Sequence, residues 1–465
     1  MNNLPQFQTG EPNPLDVSRR EFVKSSSFAT AMAMLGGIPL VAQENKVAAP
    51  GAVATGPTVK CALIGAGVWG REVLNTLARF PKAEVIAVCD HYESPAFQRR
   101  TKEAAPKAEL FTDYKKVLEN KAVQAVLVAT PSHQHKEIVL AALAAGKHVY
   151  CEAPIAHTME DARAIARAAR DTAKSYFQAG LLLRSDPQRK FLLPFVRSGA
   201  MGHNIKTRAQ WHKKTSWKRA APTNEREMDL NWRLRRESSP GLIGEVGSQQ
   251  IDVMQWFLDK RPASVTGFGG ILLWQDGREV EDTIQAVFQY KDGTSFNYEA
   301  SIATSFDSDY EILYGSDAAI MLRGNKAWLF KEADSPLLGW EVYARKEQFF
   351  NETGIALVAN ATKSTKTAQG KSQNESAYSD PPLYFAMESF LANTELIANA
   401  VEDFISTFDA NDTKALVEYL ASIQKNKLPA ATYMDGYETA VIAIKANEAV
   451  ARKSTVKFEK EWFEI

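Results

Sequence analysis

The chain has 465 residues, with 55 Lys plus Arg against 55 Asp plus Glu and a formal net charge of zero. That balance excludes the basic field that nucleic acid or an anionic membrane requires, and leaves a small molecule as the default partner. The length suffices for two domains. The three cysteines, Cys61, Cys89 and Cys151, fall in or beside expected core strands with no metal or disulfide spacing, and read as small buried apolar residues.

Near the start, Ser18-Arg19-Arg20-Glu21-Phe22-Val23-Lys24 precedes a weakly apolar stretch from Ser25 to Leu40. The segment looks like a twin-arginine export signal. It is too short to span a membrane comfortably, and no cysteine follows it, so neither a stable membrane anchor nor a lipid anchor is expected. Residues 1–50 are assigned to signal and linker. Cleavage is expected within 42–54, where Val41-Ala42-Gln43 and Val47-Ala48-Ala49 offer small-residue sites. The expected destination is the periplasm, reached by a folded protein with its cofactor bound.

At Val59–Gly70 a short apolar run breaks into Gly65-x-Gly67-x-x-Gly70 and continues as a helical pattern. This is a dinucleotide-binding fingerprint. Gly65 permits the tight turn, Gly67 lets the backbone approach a pyrophosphate, and Gly70 lets helix pack on strand, with Val68 and Trp69 between them. The helix N-terminus then faces the phosphates. A second apolar run, Val85-Ile-Ala-Val-Cys-Asp90, ends in an acid placed to bond a ribose 2′-hydroxyl, which points to NAD. A cap or turn role is the structural alternative for Asp90. Arg99 and Arg100 would partly offset its repulsion of a 2′-phosphate, which keeps NADP as the alternative cofactor.

From 58 to 182 the pattern alternates strand and helix, and predicts a doubly wound parallel sheet. Strands are expected near 59–64, 84–89, 125–129, 148–151 and 175–179. Helices are expected near 69–80, 94–104, 113–119, 134–145 and 159–172. Beyond about 203 the texture changes to strands at 204–212, 263–274, 281–290, 294–304, 309–314 and 318–323, with Asp292-Gly293 as a hairpin signal. The second unit, 183–465, is therefore expected to be an α/β domain around an open, mainly antiparallel sheet. A polar segment at 360–382 reads as a mobile surface insertion. Helical patterns return at 386–407, 411–424 and 436–451.

Further motifs follow in order: Ala129-Thr130-Pro131-Ser132-His133-Gln134-His135, Cys151-Glu152-Ala153-Pro154, Glu245-Val-Gly247-Ser-Gln249-Gln-Ile-Asp252, and Gly436-Tyr437. With the glycine fingerprint they give the chain, over nearly all of 59–465, a resemblance to the glucose–fructose oxidoreductase / inositol dehydrogenase / MocA (Gfo/Idh/MocA) family. The resemblance implies a Rossmann domain, NAD or NADP, hydride exchange with sugars or cyclitols, and a homodimer or homotetramer built on the open sheet. It also places Thr130, Pro131, His135, Glu152 and Ala153 beside the cofactor. Helix capping is the structural alternative for His135.

Two departures bear on the chemistry. The family's lysine beside the nicotinamide is Ala153 here, and its aspartate and histidine positions hold Glu245 and Gln249. Oxidising a secondary alcohol needs a proton acceptor and a donor for the developing alkoxide. Alanine supplies neither, and glutamine bonds a hydroxyl without titrating. Glu245 remains as acceptor, with Asp252 one helical turn past Gln249 as a second carboxylate. The segment Trp211–Arg219 ends a strand where the second domain faces the nicotinamide in the family. Its Trp217 and Arg219, with Trp232 and Arg233 further on, suit a sugar, since indoles stack on the ring and cations donate to its oxygens. Lys213, Lys214 and Arg233 are the candidates for a catalytic cation in place of the lost lysine. An interface or solvated loop is the bland alternative.

Three readings follow. The first is an exported nicotinamide-dependent oxidoreductase of a sugar or sugar derivative. The second is a glycoside-cleaving enzyme that uses transient oxidation. The third is a non-catalytic carbohydrate-binding or scaffold protein on the same fold.

Overall fold

The computed structural model describes residues 58–337, 341, 344, 346–349, 352–357, 380–409 and 411–465. The export signal and the insertion up to residue 379 lie outside the described residues.

Parallel strands buried on both faces must be apolar throughout, and the first sheet is built from such runs. Its strands are β1 (Val59–Ile64), β2 (Ala83–Cys89), β3 (Glu109–Phe111), β4 (Ala125–Val128), β5 (His148–Glu152) and β6 (Phe177–Gly180). They run parallel in the order β3-β2-β1-β4-β5-β6, the doubly wound dinucleotide-binding arrangement. Between them lie α1 (Val68–Leu77), α2 (Pro95–Ala104), α3 (Tyr114–Glu119), α4 (His135–Ala144) and α5 (Met159–Asp171). Local chemistry starts three of these helices: the side chains of Ser94, Asp113 and Thr158 each accept a first-turn backbone N–H.

The chain then crosses through α6 (Pro187–Arg197) into β7 (Asn204–His212), α7 (Asn224–Leu230), α8 (Gly241–Glu245) and α9 (Gly247–Leu258). Strands β8 (Ser264–Gly270), β9 (Thr283–Gln289), β10 (Ser295–Ser301), β11 (Asp309–Gly315), β12 (Ala318–Arg323) and β13 (Lys326–Lys331) follow. After β14 (Lys346–Phe349) and β15 (Glu352–Leu357) come helices α10 (Pro382–Thr407), α11 (Thr413–Ser422) and α12 (Tyr433–Arg452), then β16 (Thr455–Lys457). The second sheet has ten strands in the order β14-β15-β13-β12-β11-β7-β10-β9-β8-β16, antiparallel except where β7 pairs with β10. At the Asp292-Gly293 hairpin, Gly293 takes a φ of 87° and closes a three-residue turn, its N–H donating to the Tyr290 carbonyl at 3.1 Å.

The expected elements are present, and the structure adds β3 and β13 to β16. It also adds α6, whose Pro194 interrupts the helical pattern in sequence. A larger addition concerns the division at residue 183. Helix α10 returns to cover the first sheet, so that Leu383, Met387 and Phe390 share one buried cluster with Cys61, Leu63, Leu74 and Tyr150. One face of the first sheet is thus closed by the end of the chain. No helix among the described residues is long and apolar enough to cross a membrane.

Phe390 is fully buried with its ring 5.7 Å from that of Tyr150. Phe390→Ala is expected to destabilise the fold by about 3–5 kcal/mol, the cost of a large core truncation. Denaturant unfolding measures it, and a loss confined to surface levels would contradict the packing of α10 on the first sheet.

Candidate active site

A cleft of about 1180 Å³ opens where the carboxyl ends of β1, β2, β4 and β5 face the Trp211–Arg219 segment and helices α7 to α9. Ligands of open α/β sheets bind at this edge. The volume exceeds the roughly 300–1,000 Å³ typical of drug-sized sites, which leaves room for a dinucleotide and a second small molecule.

The glycine turn fits a nucleotide. Gly65 has φ 96°, and a Cβ there would lie 2.6 Å from the Ala129 carbonyl carbon; one on Gly70 would lie 1.9 Å from the Gly65 oxygen. Those two glycines are required by the fold itself. A Cβ on Gly67 would meet no protein atom within 4 Å, yet Gly67 lines the cleft, so its bareness leaves space for a ligand and serves no packing need. Val68 and Trp69 are exposed beside it, and no side chain caps the first turn of α1. Free N–H groups at that end suit a pyrophosphate. Asp90 lines the cleft while its carboxylate accepts from the backbone N–H groups of Ala66 at 3.0 Å and Tyr92 at 3.1 Å. It therefore combines the turn role with a position at the ribose end.

Two orphan acceptors lie deeper. Thr130 Oγ1 and Glu152 Oε1 are buried without a hydrogen-bond partner, and both residues line the cleft with Pro131 and Ala153. Burial pushes the Glu152 carboxyl up to about 7. An unpaired buried acceptor is costly, and a ribose hydroxyl or carboxamide would relieve it. His135 has a different task. Its ring nitrogens lie 2.9 Å from the Thr130 carbonyl and 3.1 Å from that of Pro154, and burial lowers its pKa to about 4, so the neutral ring donates its single N–H to one of the two carbonyls.

At the other end Glu245, the last residue of α8, points its carboxylate into the cleft wall with only 4% of the side chain exposed. Oε1 accepts from the hydroxyls of Ser132 at 3.1 Å and Ser239 at 3.2 Å, and Oε2 from Arg233 Nε at 3.3 Å. Ser132 follows β4, so this carboxylate is fastened to the nucleotide loop of the first domain. Burial raises its pKa while the Arg233 guanidinium opposes the rise. Arg233 itself lies 4.6 Å from the Trp232 ring centroid and 5.7 Å from that of Trp217. Trp217 is held at φ 62°, left-handed backbone rarely adopted by an aromatic residue. Lys213 and Arg219 also line the cleft. The structure thus brings Glu245, Lys213, Trp217, Arg219, Trp232 and Arg233 together.

Gln249 and Asp252, both expected as catalytic groups, are engaged by protein partners. Asp252 is not in the cleft: on the far side of α9 both its oxygens receive Arg184, at 2.8 Å each, and Thr439 adds a bond. Asp252 lines a separate pocket with Arg184, and its charge is spent within the second domain, tying α9 to the chain that enters α6 and to α12. Gln249 lines the cleft but is a brace. Its Oε1 accepts from Leu182 N at 2.9 Å and its Nε2 donates to Gly180 O at 2.8 Å, fixing the end of β6. Sequence reasoning missed the Ser132 and Ser239 donors. It also missed Arg189, which joins Asp186 and Glu311 in a buried ion network on the cleft wall. Glu311 is 122 residues from Arg189, so only topology reveals that pairing.

Comparison with known proteins agrees with this geometry. The profile described as "Oxidoreductase family, NAD-binding Rossmann fold" matches residues 59–180, and "GFO/IDH/MocA C-terminal domain" matches 194–326. The chain belongs to the Gfo/Idh/MocA family. It is similar to inositol 2-dehydrogenase of Salmonella typhimurium, at 27% identity over 44% of this chain and 55% of that protein. It is also similar to 2,7-anhydro-N-acetylneuraminate hydratase of Mediterraneibacter gnavus, at 24% identity over 57% of this chain and 67% of that one. The chain therefore spans little more than half the length of the inositol dehydrogenases it matches. The fold is shared with a solved levoglucosan dehydrogenase in complex with NADH, with TM-score 0.63, 16% identity, and coverage of 86% and 99% of the two chains. The first domain is thus the family's NAD-binding fold.

A dinucleotide that donates to Glu152 favours the ionised carboxylate, so binding releases its proton. Affinity for NADH is expected to rise with pH through about 7, and to be flat in Glu152→Gln. Fluorescence titration between acidic and mildly alkaline pH measures this; a flat wild-type profile would remove Glu152 from the contact.

Proposed function

We propose that the chain is an exported NAD-dependent oxidoreductase of a sugar or cyclitol-like substrate, with Glu245 as its proton acceptor. The observation that carries this reading is the buried Glu245 carboxylate on the cleft wall, fastened by Ser132 to the nucleotide loop and paired through Oε2 with Arg233. Bound, NAD supplies the hydride acceptor for a secondary alcohol. The turn at Gly65, Gly67 and Gly70 would hold its pyrophosphate, Asp90 its adenosine ribose, and Thr130 and Glu152 its nicotinamide end. Trp217 and Trp232 offer faces for a sugar ring, and the named relatives act on cyclitol or sugar derivatives. Glu245, raised by burial and steadied by two hydroxyls, takes the alcohol proton.

Export rests on the Ser18–Lys24 motif and implies a periplasmic enzyme that brings its cofactor with it. A homodimer or homotetramer would bury the outer face of the second sheet, where Ile205, Phe268 and Val287 are exposed. NADP is the alternative cofactor.

Denaturing the purified protein is expected to release NAD(H), and adding myo-inositol or levoglucosan to the NAD-loaded protein to raise reduced-nicotinamide absorbance. Glu245→Gln should lower that rate by roughly a hundredfold or more, the scale of a lost general base, with NADH affinity unchanged. Absence of dinucleotide together with no binding of added NAD or NADP would overturn the reading.

A further inference from the structure

The family's lysine carries two duties, a positive charge and a titratable proton, and Ala153 provides neither. Five cations of the second domain border the cleft: Arg189, Lys213, Arg219, Arg226 and Arg233. Arg226 is engaged by Asp229 and His91 and lies over the Tyr92 ring. Arg189 is buried and consumed by Asp186 and Glu311. Lys213 is exposed, and among the described residues no hydrogen bond or ion pair orients its side chain. Arg219 is a near neighbour of Arg71 in α1, toward the adenosine end.

Arg233 differs in how it is held. Only its Nε is engaged with Glu245, at 3.3 Å, and its flat head lies near two indoles, 4.6 and 5.7 Å from their centroids. A guanidinium carries five N–H donors. One faces Glu245, and among the described residues no hydrogen bond engages the other four. They lie on a preorganised plane at the cleft, beside the Glu245 carboxylate. Stacking on aromatics and a fixed donor fork are properties of arginine that lysine does not share.

We infer that Arg233 supplies the cation missing at Ala153, holding the substrate oxygen through its terminal N–H groups while Glu245 takes the proton. The assignment rests on the oxidoreductase reading above. In the forward step the substrate O–H bond breaks and its proton passes to Glu245 Oε2. The C–H bond breaks with its electron pair, which leaves as hydride to oxidised nicotinamide, and a C=O bond forms. Arg233 bonds the oxygen throughout and never exchanges a proton, because a guanidinium stays protonated in proteins. The lysine's two duties are thereby divided between two side chains that touch.

Gluconate, a polyol carrying a carboxylate, probes these donors without any turnover. Wild-type protein is expected to bind it with saturable quenching of tryptophan fluorescence. Arg233→Gln should weaken binding by roughly tenfold or more, the scale of charge-assisted bonds, and Arg233→Lys by less. NADH affinity should be unchanged in both variants, which shows that the fold and nucleotide half are intact. In dehydrogenation of myo-inositol or levoglucosan, Arg233→Lys should acquire an alkaline limb absent from wild type, since an ammonium titrates, and added guanidinium should partly restore Arg233→Ala. Unchanged gluconate binding in Arg233→Gln, or no new limb in Arg233→Lys, overturns the assignment. Loss of NADH binding by the wild type would instead overturn the oxidoreductase reading, with the gluconate arm still deciding Arg233.

Discussion

A carboxylate with 4% of its side chain exposed must be satisfied where it sits, because a buried charge without partners costs several kcal/mol. For Glu245 the partners come from three directions: Ser132 from the loop after β4, Ser239 from the turn before α8, and Arg233 from the loop after α7. The first of these belongs to the nucleotide domain and the other two to the second. Satisfying one acid therefore sets the distance between the domains at the edge where a nicotinamide would lie. On the other side of α9 Arg184 satisfies a second buried acid inside the second domain, where it grips Asp252 and also Asp435 at the start of α12.

The nucleotide half was legible because its constraints are local. A turn of φ 96° needs glycine, and Gly65, Gly67 and Gly70 recur at the spacing that a strand–turn–helix demands. Period and capping placed the first five helices within a few residues, since Ser94, Asp113 and Thr158 signal their own helix starts. The second sheet was readable through β12 for a similar reason: β9 alternates buried Ile284, Ala286 and Phe288 with outward-facing Gln285 and Val287. Legibility failed where structure depends on distant partners. Nothing local in Pro382–Thr407 says that it closes the first sheet, and α6 contains a proline that argues against the helix it occupies.

The candidate site divides along the same line. Residue type announced Glu245, the indoles and the cations, but their assignments depended on which face each one takes. Gln249 and Asp252 lie on one short helix only about 60° apart around its axis, and their distant partners decide that one braces β6 and the other binds Arg184. Glutamine at the family's histidine position is thereby accounted for by structure. Both halves of its amide are occupied by the backbone of Gly180 and Leu182, so it holds the frame around the site and leaves titration to another group.

That redistribution also accounts for Ala153. A lysine there would add a further cation to a cleft that Arg233 already lines. With Arg233 anchored by Glu245 and flanked by Trp217 and Trp232, a small residue at 153 leaves the cleft open beside the orphan oxygen of Glu152. On the assignment proposed for Arg233, the departures at 153, 245 and 249 read as a single change in physical terms. The cation moves to the second domain, the longer glutamate reaches both that cation and the nucleotide loop, and the former histidine position becomes a brace.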